Sequence, residues 1–162
     1  MKYLAFGMIV IVTGIIIAVG GCKDEVDPTF KAIDTSQDFI VFGSVYGECT
    51  GDCRDLFMIT ETNLYTDADQ NVDLKNTLFG TDPLPKSKFE TAKSLLNAPD
   101  NLKNNSFQPA DLIDIIADFD YYIYGQVDGK NFDISFDAID SIVNPDLHAY
   151  ASMMGSVLHL IR

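Results

Sequence analysis

Apolar and polar positions alternate in several short stretches of the chain, which predicts β-strands. In the stretch 39–46, apolar side chains occupy both alternating sets of positions, so we predict a central strand that is covered on both faces. Gly43 within this strand indicates a bulge or a close neighbour. A second strand is predicted at 56–60 and a third at Leu64-Tyr65, after a turn at 61–63.

The segment 121–136 has the clearest pattern of all, that of a β-hairpin around Asp128-Gly129. This dipeptide favours a two-residue type I′ turn, because both central positions need positive φ. The pairs expected are Val127–Lys130, Gly125–Phe132, Ile123–Ile134 and Tyr121–Phe136. These residues share one nearly continuous apolar face, which specifies the register because a slip of one residue would bury Asp133.

Tyr122 and Tyr124 fall on the opposite, polar face of this hairpin. We expect both tyrosines to be exposed and to form part of an interaction surface, because aromatic residues are enriched at interfaces. The alternative is that β-propensity alone accounts for them, since tyrosine is common in strands.

Helical spacing of apolar residues appears in two places. A capping box formed by Ser87 and Glu90 predicts a helix that starts at Ser87 and stops before Pro99. The last helix is predicted to begin at Asn144 as N-cap, with Pro145 at its first position. Its apolar stripe consists of Leu147, Tyr150, Ala151, Met154, Val157, Leu158 and Ile161.

Two further segments have weaker patterns. Residues 101–106 are expected to form a loop, and 109–117 fits a short helix or a buried strand about equally well. Because strands and helices do not alternate regularly, we predict an α+β fold in a single domain, residues 39–162. Its expected architecture is an antiparallel sheet of hairpins with two or three helices packed on one face.

The chain has 162 residues and a formal net charge of −13. This length is enough for one domain with a hydrophobic core. A polyanion is repelled by phosphate backbones and anionic headgroups, so we expect no nucleic-acid partner.

The N-terminal segment combines Lys2, an uncharged apolar run at 4–21 and a lone cysteine at its end. That layout is typical of a secretory signal. Val19-Gly20-Gly21-Cys22 resembles the lipobox of bacterial lipoproteins. The resemblance implies that residues 1–21 are a signal peptide and that Cys22 receives diacylglycerol and, on its freed amine, a further acyl chain such as palmitate. The alternative is a retained transmembrane helix, because the run is at the short end of what spans a bilayer.

Residues 22–38 are predicted to be the acylated cysteine and a flexible polar tether. Lys23-Asp24-Glu25 resembles the triplet that marks surface-exported lipoproteins of the Bacteroidota. We therefore expect a lipid anchor in the outer membrane and favour surface exposure over a periplasm-facing position. The alternative is that a polar tether contains such a triplet by chance.

Cys49 and Cys53 remain as a pair once Cys22 is committed to lipid. In an oxidising compartment we expect a disulfide between them. Redox catalysis is less favoured, because its usual spacing is Cys-x-x-Cys at a helix N-terminus. A zinc site shared with both histidines is excluded, because His148 and His159 would lie roughly 16 Å apart along one helix.

The stretch 67–73 resembles the first half of a calcium-binding loop, because every second residue has a carboxylate or amide side chain. The residues concerned are Asp67, Asp69, Asn71 and Asp73. The glycine and the glutamate that such a loop needs are replaced by Val72 and Leu78. We therefore expect no dedicated metal site, with weak calcium binding as the alternative to a solvated acidic loop.

The mature chain also resembles a family of small envelope lipoproteins of the Bacteroidota. The matching features are Phe42-Gly43-x-x-Tyr46-Gly47-x-Cys49, the aromatic hairpin, and the closing segment 143–150 with Leu147-His148. This family implies no established activity, so the resemblance concerns location and architecture.

Motifs of nucleophilic catalysis, phosphate loops and metalloprotease motifs are missing from the sequence. We therefore expect a non-enzymatic binding module without a cofactor, whose partner is a protein, a glycan or a cation. The alternative is an envelope enzyme or inhibitor with a site near the Cys49–Cys53 loop.

Overall fold

The computed structural model describes residues 30–46, 54–68, 76–106 and 119–162. Within these ranges the chain forms seven β-strands and three α-helices. The strands are β1 (Phe30–Lys31), β2 (Phe39–Tyr46), β3 (Arg54–Thr60), β4 (Leu64–Thr66), β5 (Phe79–Gly80), β6 (Phe119–Val127) and β7 (Lys130–Phe136). The helices are α1 (Lys86–Ala92), α2 (Asp100–Lys103) and α3 (Pro145–Ile161).

Five of the strands form one antiparallel sheet in the order β4-β3-β2-β6-β7. β2 is its central strand, as predicted, and pairs with β3 on one side and β6 on the other. Gly43 marks a close neighbour: a Cβ atom there would lie 1.9 Å from the backbone oxygen of Asp55. The glycine therefore allows β2 and β3 to approach each other.

The β6–β7 hairpin has the predicted register, with Val127 opposite Lys130 and Ile123 opposite Ile134. Its turn residues Asp128 and Gly129 have φ values of 55° and 70°. These are the left-handed conformations that a type I′ turn requires. The local turn chemistry thus fixes the pairing of two long strands.

Helix α3 begins and packs as predicted. The Asn144 side chain accepts hydrogen bonds from the backbone N–H groups of Asp146 and Leu147, both at 3.1 Å. These bonds satisfy two of the donors that a helix N-terminus leaves without partners. Every residue of the predicted apolar stripe is buried.

Two helical predictions need correction. α1 begins one residue before Ser87, and its N-cap is Pro85, which makes no side-chain capping bond. The predicted loop at 101–106 overlaps α2, a single helical turn with Pro99 at its N-cap position. A turn of four residues is too short to show helical periodicity in the sequence.

All three helices cover one face of the large sheet, which we call the helix face. Ile40, Phe42 and Ile123 of the sheet lie fully buried there. Phe89 and Leu95 pack against them, together with the stripe of α3. The α+β prediction, with helices on one face of an antiparallel sheet, is therefore confirmed.

The opposite face of the sheet, which we call the ribbon face, carries a second apolar cluster. It contains Phe39, Val41, Leu56, Met58, Tyr65, Phe79, Tyr122 and Tyr124. The two-stranded ribbon of β1 and β5 contributes Phe79, and Ile33 packs against the same cluster. The folded part thus includes residues 30–38, which the sequence assigned to the tether.

Several sequence predictions lie outside the described residues. They concern the signal peptide at 1–21, Cys22, the Lys23-Asp24-Glu25 triplet, Cys49, Cys53, Asp69–Asp73 and the segment 109–117. These remain predictions. Among the helices that the structure describes, none is both long and apolar enough to cross a membrane.

Candidate functional site

A cleft of about 680 Å³ lies on the ribbon face of the large sheet. Phe39 and Tyr124 border it, and both side chains are buried. Their rings form an edge-to-face pair, with centroids 6.3 Å apart and planes at 79°. Ile33 lines the cleft from the chain that follows β1. Its volume and its apolar walls fall within the range typical of small-molecule sites.

The rim of the cleft is polar. Asn131 and Asp133 reach it from β7, and both are exposed. Asn105 contributes from the turn that follows α2, where its backbone adopts a φ of 49°. Asparagine amides can donate and accept hydrogen bonds at once. The cleft therefore combines an apolar floor with groups that could orient a bound molecule.

Tyr124 and Asp133 occupy directly opposite positions on β6 and β7. Side chains at such positions lie on the same face of the sheet, with Cβ atoms roughly 5 Å apart. Both residues line the cleft. An aromatic ring and a carboxylate are thereby brought together at the same edge of the site.

The expected exposure of Tyr122 and Tyr124 is wrong. Their exposed fractions are 8% and 7%, because residues distant in sequence cover the ribbon face. The two rings contact each other, with centroids 5.4 Å apart. Both tyrosines belong to the second apolar cluster, but only Tyr124 is among the described residues that line the cleft.

A carboxyl pair lies further along the hairpin, at Asp120 and Asp137. Desolvation raises the pKa of Asp120 above its usual value, and a hydrogen bond and charge repulsion from Asp137 act in the same direction. Proximity to Asp137 and burial therefore both favour the protonated form of Asp120. Among the described residues, no group of three or more His, Cys, Asp or Glu side chains is arranged to hold a metal ion.

Asp67, the first residue of the suggested calcium loop, forms an ion pair with Arg54 at 3.1 Å. Its carboxylate also accepts a hydrogen bond from the backbone N–H of Leu56. These contacts compete with any role of Asp67 as a cation ligand. The other loop positions lie outside the described residues, so weak calcium binding stays a prediction.

Ser152, His148 and Asp140 form a row that superficially suggests nucleophilic catalysis. The Ser152 hydroxyl lies 3.5 Å from Nδ1 of His148, whose Nε2 lies 3.9 Å from Asp140. Both distances exceed the roughly 2.6–3.2 Å of productive proton transfer. The Asp140 side chain is fully exposed to solvent. The arrangement does not favour a catalytic role.

Neither the models of known protein families nor the sequences of curated proteins match this chain. The functional inference therefore depends on the residues themselves. Sequence reasoning identified Tyr124 but not Phe39, Ile33, Asn105 or Asp133 as neighbours in one site. No local sequence signal could group them, because they come from four separate segments of the chain.

Proposed function

We propose that this protein is a lipid-anchored protein of the bacterial cell envelope whose folded domain is a non-enzymatic binding module. The anchor is a thioether between Cys22 and a diacylglycerol, and removal of residues 1–21 then frees the amine of Cys22 for a further acyl chain. The protein would be held in the outer membrane, with the domain exposed on the cell surface rather than facing the periplasm.

The sequence around Cys22 supports the anchor. A basic start, an apolar run and the small residues Val19-Gly20-Gly21 precede the cysteine directly. Each buried methylene of an acyl chain contributes about 0.8 kcal/mol, and two or more chains hold a protein stably at a bilayer. Bilayer lipid is thus the first partner we propose.

The start of the fold limits how far the domain can lie from the anchor. Phe30 already belongs to β1, eight residues after Cys22. A fully extended chain of that length spans at most about 29 Å. An acylated Cys22 would therefore keep the ribbon of β1 and β5 within that distance of the bilayer surface.

The cleft is the observation on which the proposed binding role rests. It joins an apolar floor at Phe39 and Tyr124 to a rim of amides and one carboxylate. Concave apolar sites with few polar groups are the usual form of ligand sites. The triad-like row at Ser152 lies elsewhere in the fold and lacks catalytic distances.

The experiment that tests this proposal combines palmitate labelling with protease shaving of intact cells. Wild-type protein is expected to incorporate labelled palmitate and to be cleaved by external protease. Cys22→Ala should lose the label, whereas the matched double variant Cys49→Ser/Cys53→Ser should keep it. An unlabelled wild-type protein would overturn the anchor, and a labelled but protected protein would overturn surface exposure alone.

A further inference from the structure

A second, smaller cavity of about 230 Å³ lies on the ribbon face, where Phe39 borders both it and the cleft. We infer that this cavity binds a small zwitterion, an α-amino acid with a small side chain. Two opposite charges line the cavity without forming an ion pair with each other, and a ligand that has both signs can bridge them. Because the cavity is separate from the cleft, binding here would be a further function, beyond the role proposed above.

Two continuous segments, 31–39 and 58–65, supply the described walls of the cavity. Phe39, Met58 and Tyr65 line it as buried members of the second apolar cluster. Met58 and Tyr65 are directly opposite each other on β3 and β4, so their side chains lie on the same face of the sheet. The volume is below the usual range of drug-sized sites, which limits the ligand to a small molecule.

The positive charge of the cavity comes from Lys31. Its Nζ atom lies 3.7 Å from the centroid of the Tyr65 ring, and this cation–π contact holds the ammonium group in place. Lys31 has no carboxylate partner in an ion pair among the described residues. An ammonium group has three N–H donors, so donors remain for a ligand.

The negative charge comes from Asp34, three residues further along the same segment. Its carboxylate accepts hydrogen bonds from Oγ of Ser36 at 2.6 Å, from the backbone N–H of Ser36 at 3.0 Å and from Nε2 of Gln37 at 3.1 Å. The bond from the Ser36 hydroxyl, above all, lowers the pKa of Asp34, so the carboxylate is ionised at neutral pH. Because a carboxylate can accept about four hydrogen bonds, one acceptor site remains for a ligand.

This arrangement of charges favours a zwitterion over other small ligands. The carboxylate of an amino acid can bind the ammonium group of Lys31 while its own ammonium group binds Asp34, and charge-assisted hydrogen bonds of this kind are the strong ones. A singly charged ligand would be attracted by one of the two residues and repelled by the other. A neutral polyol could bond to Gln37 and Thr62, which also line the cavity, but it would leave both charges without a counter-ion.

The test compares three probes that differ in their charged groups: L-alanine, L-alaninamide and N-acetyl-L-alanine. L-alaninamide lacks the carboxylate, and N-acetyl-L-alanine lacks the ammonium group. Full-length acylated protein in nanodiscs is studied by equilibrium dialysis with radiolabelled probes, with empty nanodiscs as the blank. We expect L-alanine to bind about fivefold more tightly than either analogue, because each analogue loses one part-exposed ion pair.

Two charge variants assign the groups. Lys31→Gln should give L-alanine and L-alaninamide equal affinity, because the carboxylate of the ligand has lost its partner. Asp34→Asn should give L-alanine and N-acetyl-L-alanine equal affinity, because the ammonium group of the ligand has lost its partner. Lys130→Gln is the matched control, at an exposed position of the hairpin outside the cavity, and should keep the preferences of wild type.

A second pair of variants tests the location. Thr62→Trp places a large side chain at the cavity and should abolish binding of all three probes. Glu61→Trp is the matched control, because Glu61 is the neighbouring exposed residue between β3 and β4 and does not line the cavity. It should bind like wild type.

Each result supports or overturns the assignment of this cavity. Equal binding of the three probes to wild type, or preferences that both charge variants retain, would overturn the zwitterion. Absence of L-alanine binding, or binding that Thr62→Trp and Glu61→Trp retain equally, would overturn the site itself. The lipid anchor is tested independently by palmitate labelling, so failure here leaves the proposed function intact.

Discussion

Arg54 and Asp67 form an ion pair that is almost completely shielded from water. Nε of Arg54 lies 3.1 Å from Oδ2 of Asp67, and the side chains are 6% and 9% exposed. The pair connects the first residue of β3 to the residue that follows β4. It therefore stabilises the edge of the large sheet that lies farthest from the hairpin.

Replacing Asp67 by alanine should destabilise the fold. The change removes the carboxylate from a buried guanidinium, which costs about 3 kcal/mol in the free energy of unfolding. Urea denaturation of Asp67→Ala measures this loss. Asp82→Ala, at an exposed position, is the control and should change stability by less than about 0.5 kcal/mol. A loss no larger than that control would contradict the structural role of the pair.

Gly43→Ala should be more harmful than an ordinary glycine substitution. The added Cβ would lie 1.9 Å from the backbone oxygen of Asp55, so β2 and β3 would have to separate. We expect a loss of about 3 kcal/mol. Gly80→Ala is the matched control, because its nearest neighbour would lie 3.9 Å away. Thermal unfolding of both variants tests the prediction, and similar melting temperatures would refute it.

The hydroxyl of Tyr150 should make stability depend on pH above pH 10. It donates a hydrogen bond to the backbone oxygen of Leu95 at 2.8 Å, in a buried position. Burial raises the pKa of Tyr150 above its usual value of 10.0. The folded state therefore holds the proton more strongly than the unfolded state, and stability falls as the pH rises through 10.

Tyr150→Phe separates the contribution of the hydrogen bond from the effect of ionising the hydroxyl. At pH 7 the variant should lose about 1 kcal/mol from the missing hydrogen bond. Above pH 10 the wild type should lose about 1.4 kcal/mol per pH unit from this group, whereas the variant lacks that loss. The stability difference should therefore shrink and then reverse in urea melts at increasing pH. A constant difference from pH 7 to pH 11 would show that Tyr150 is not responsible.

Cys49→Ser/Cys53→Ser tests the structural role of the predicted disulfide. A bridge that closes so short a loop contributes about 2 kcal/mol in the chain-entropy model. We expect thermal unfolding to show a lower melting temperature for the double variant than for wild type. A melting temperature equal to that of wild type would contradict the structural disulfide.

The parts of the fold that could be predicted depend on local patterns. Asp128-Gly129 sets the turn and therefore the register of β6 and β7, and the stripe of α3 faces the core over its whole length. β2 has apolar residues on both faces, which correctly indicated a strand whose two faces are both covered.

The ribbon face could not be predicted in the same way. β1 and β5 have two residues each, which is too short for any periodicity. Their pairing places Phe79 over the ribbon face. The hairpin sequence is mostly polar on that face, so the burial of Tyr122 and Tyr124 there was not expected. The cleft depends on the same long-range contacts, which explains why sequence reasoning found only one of its residues.

Mass spectrometry of the N-terminus of the protein, purified from its native membrane, tests the proposed anchor most directly. The mature chain is predicted to begin at Cys22, with residues 1–21 removed and the mass of a diacylglycerol and an acyl chain added. An unmodified Cys22 that is still preceded by Gly21 would contradict the anchor, the compartment and the proposed position at the membrane.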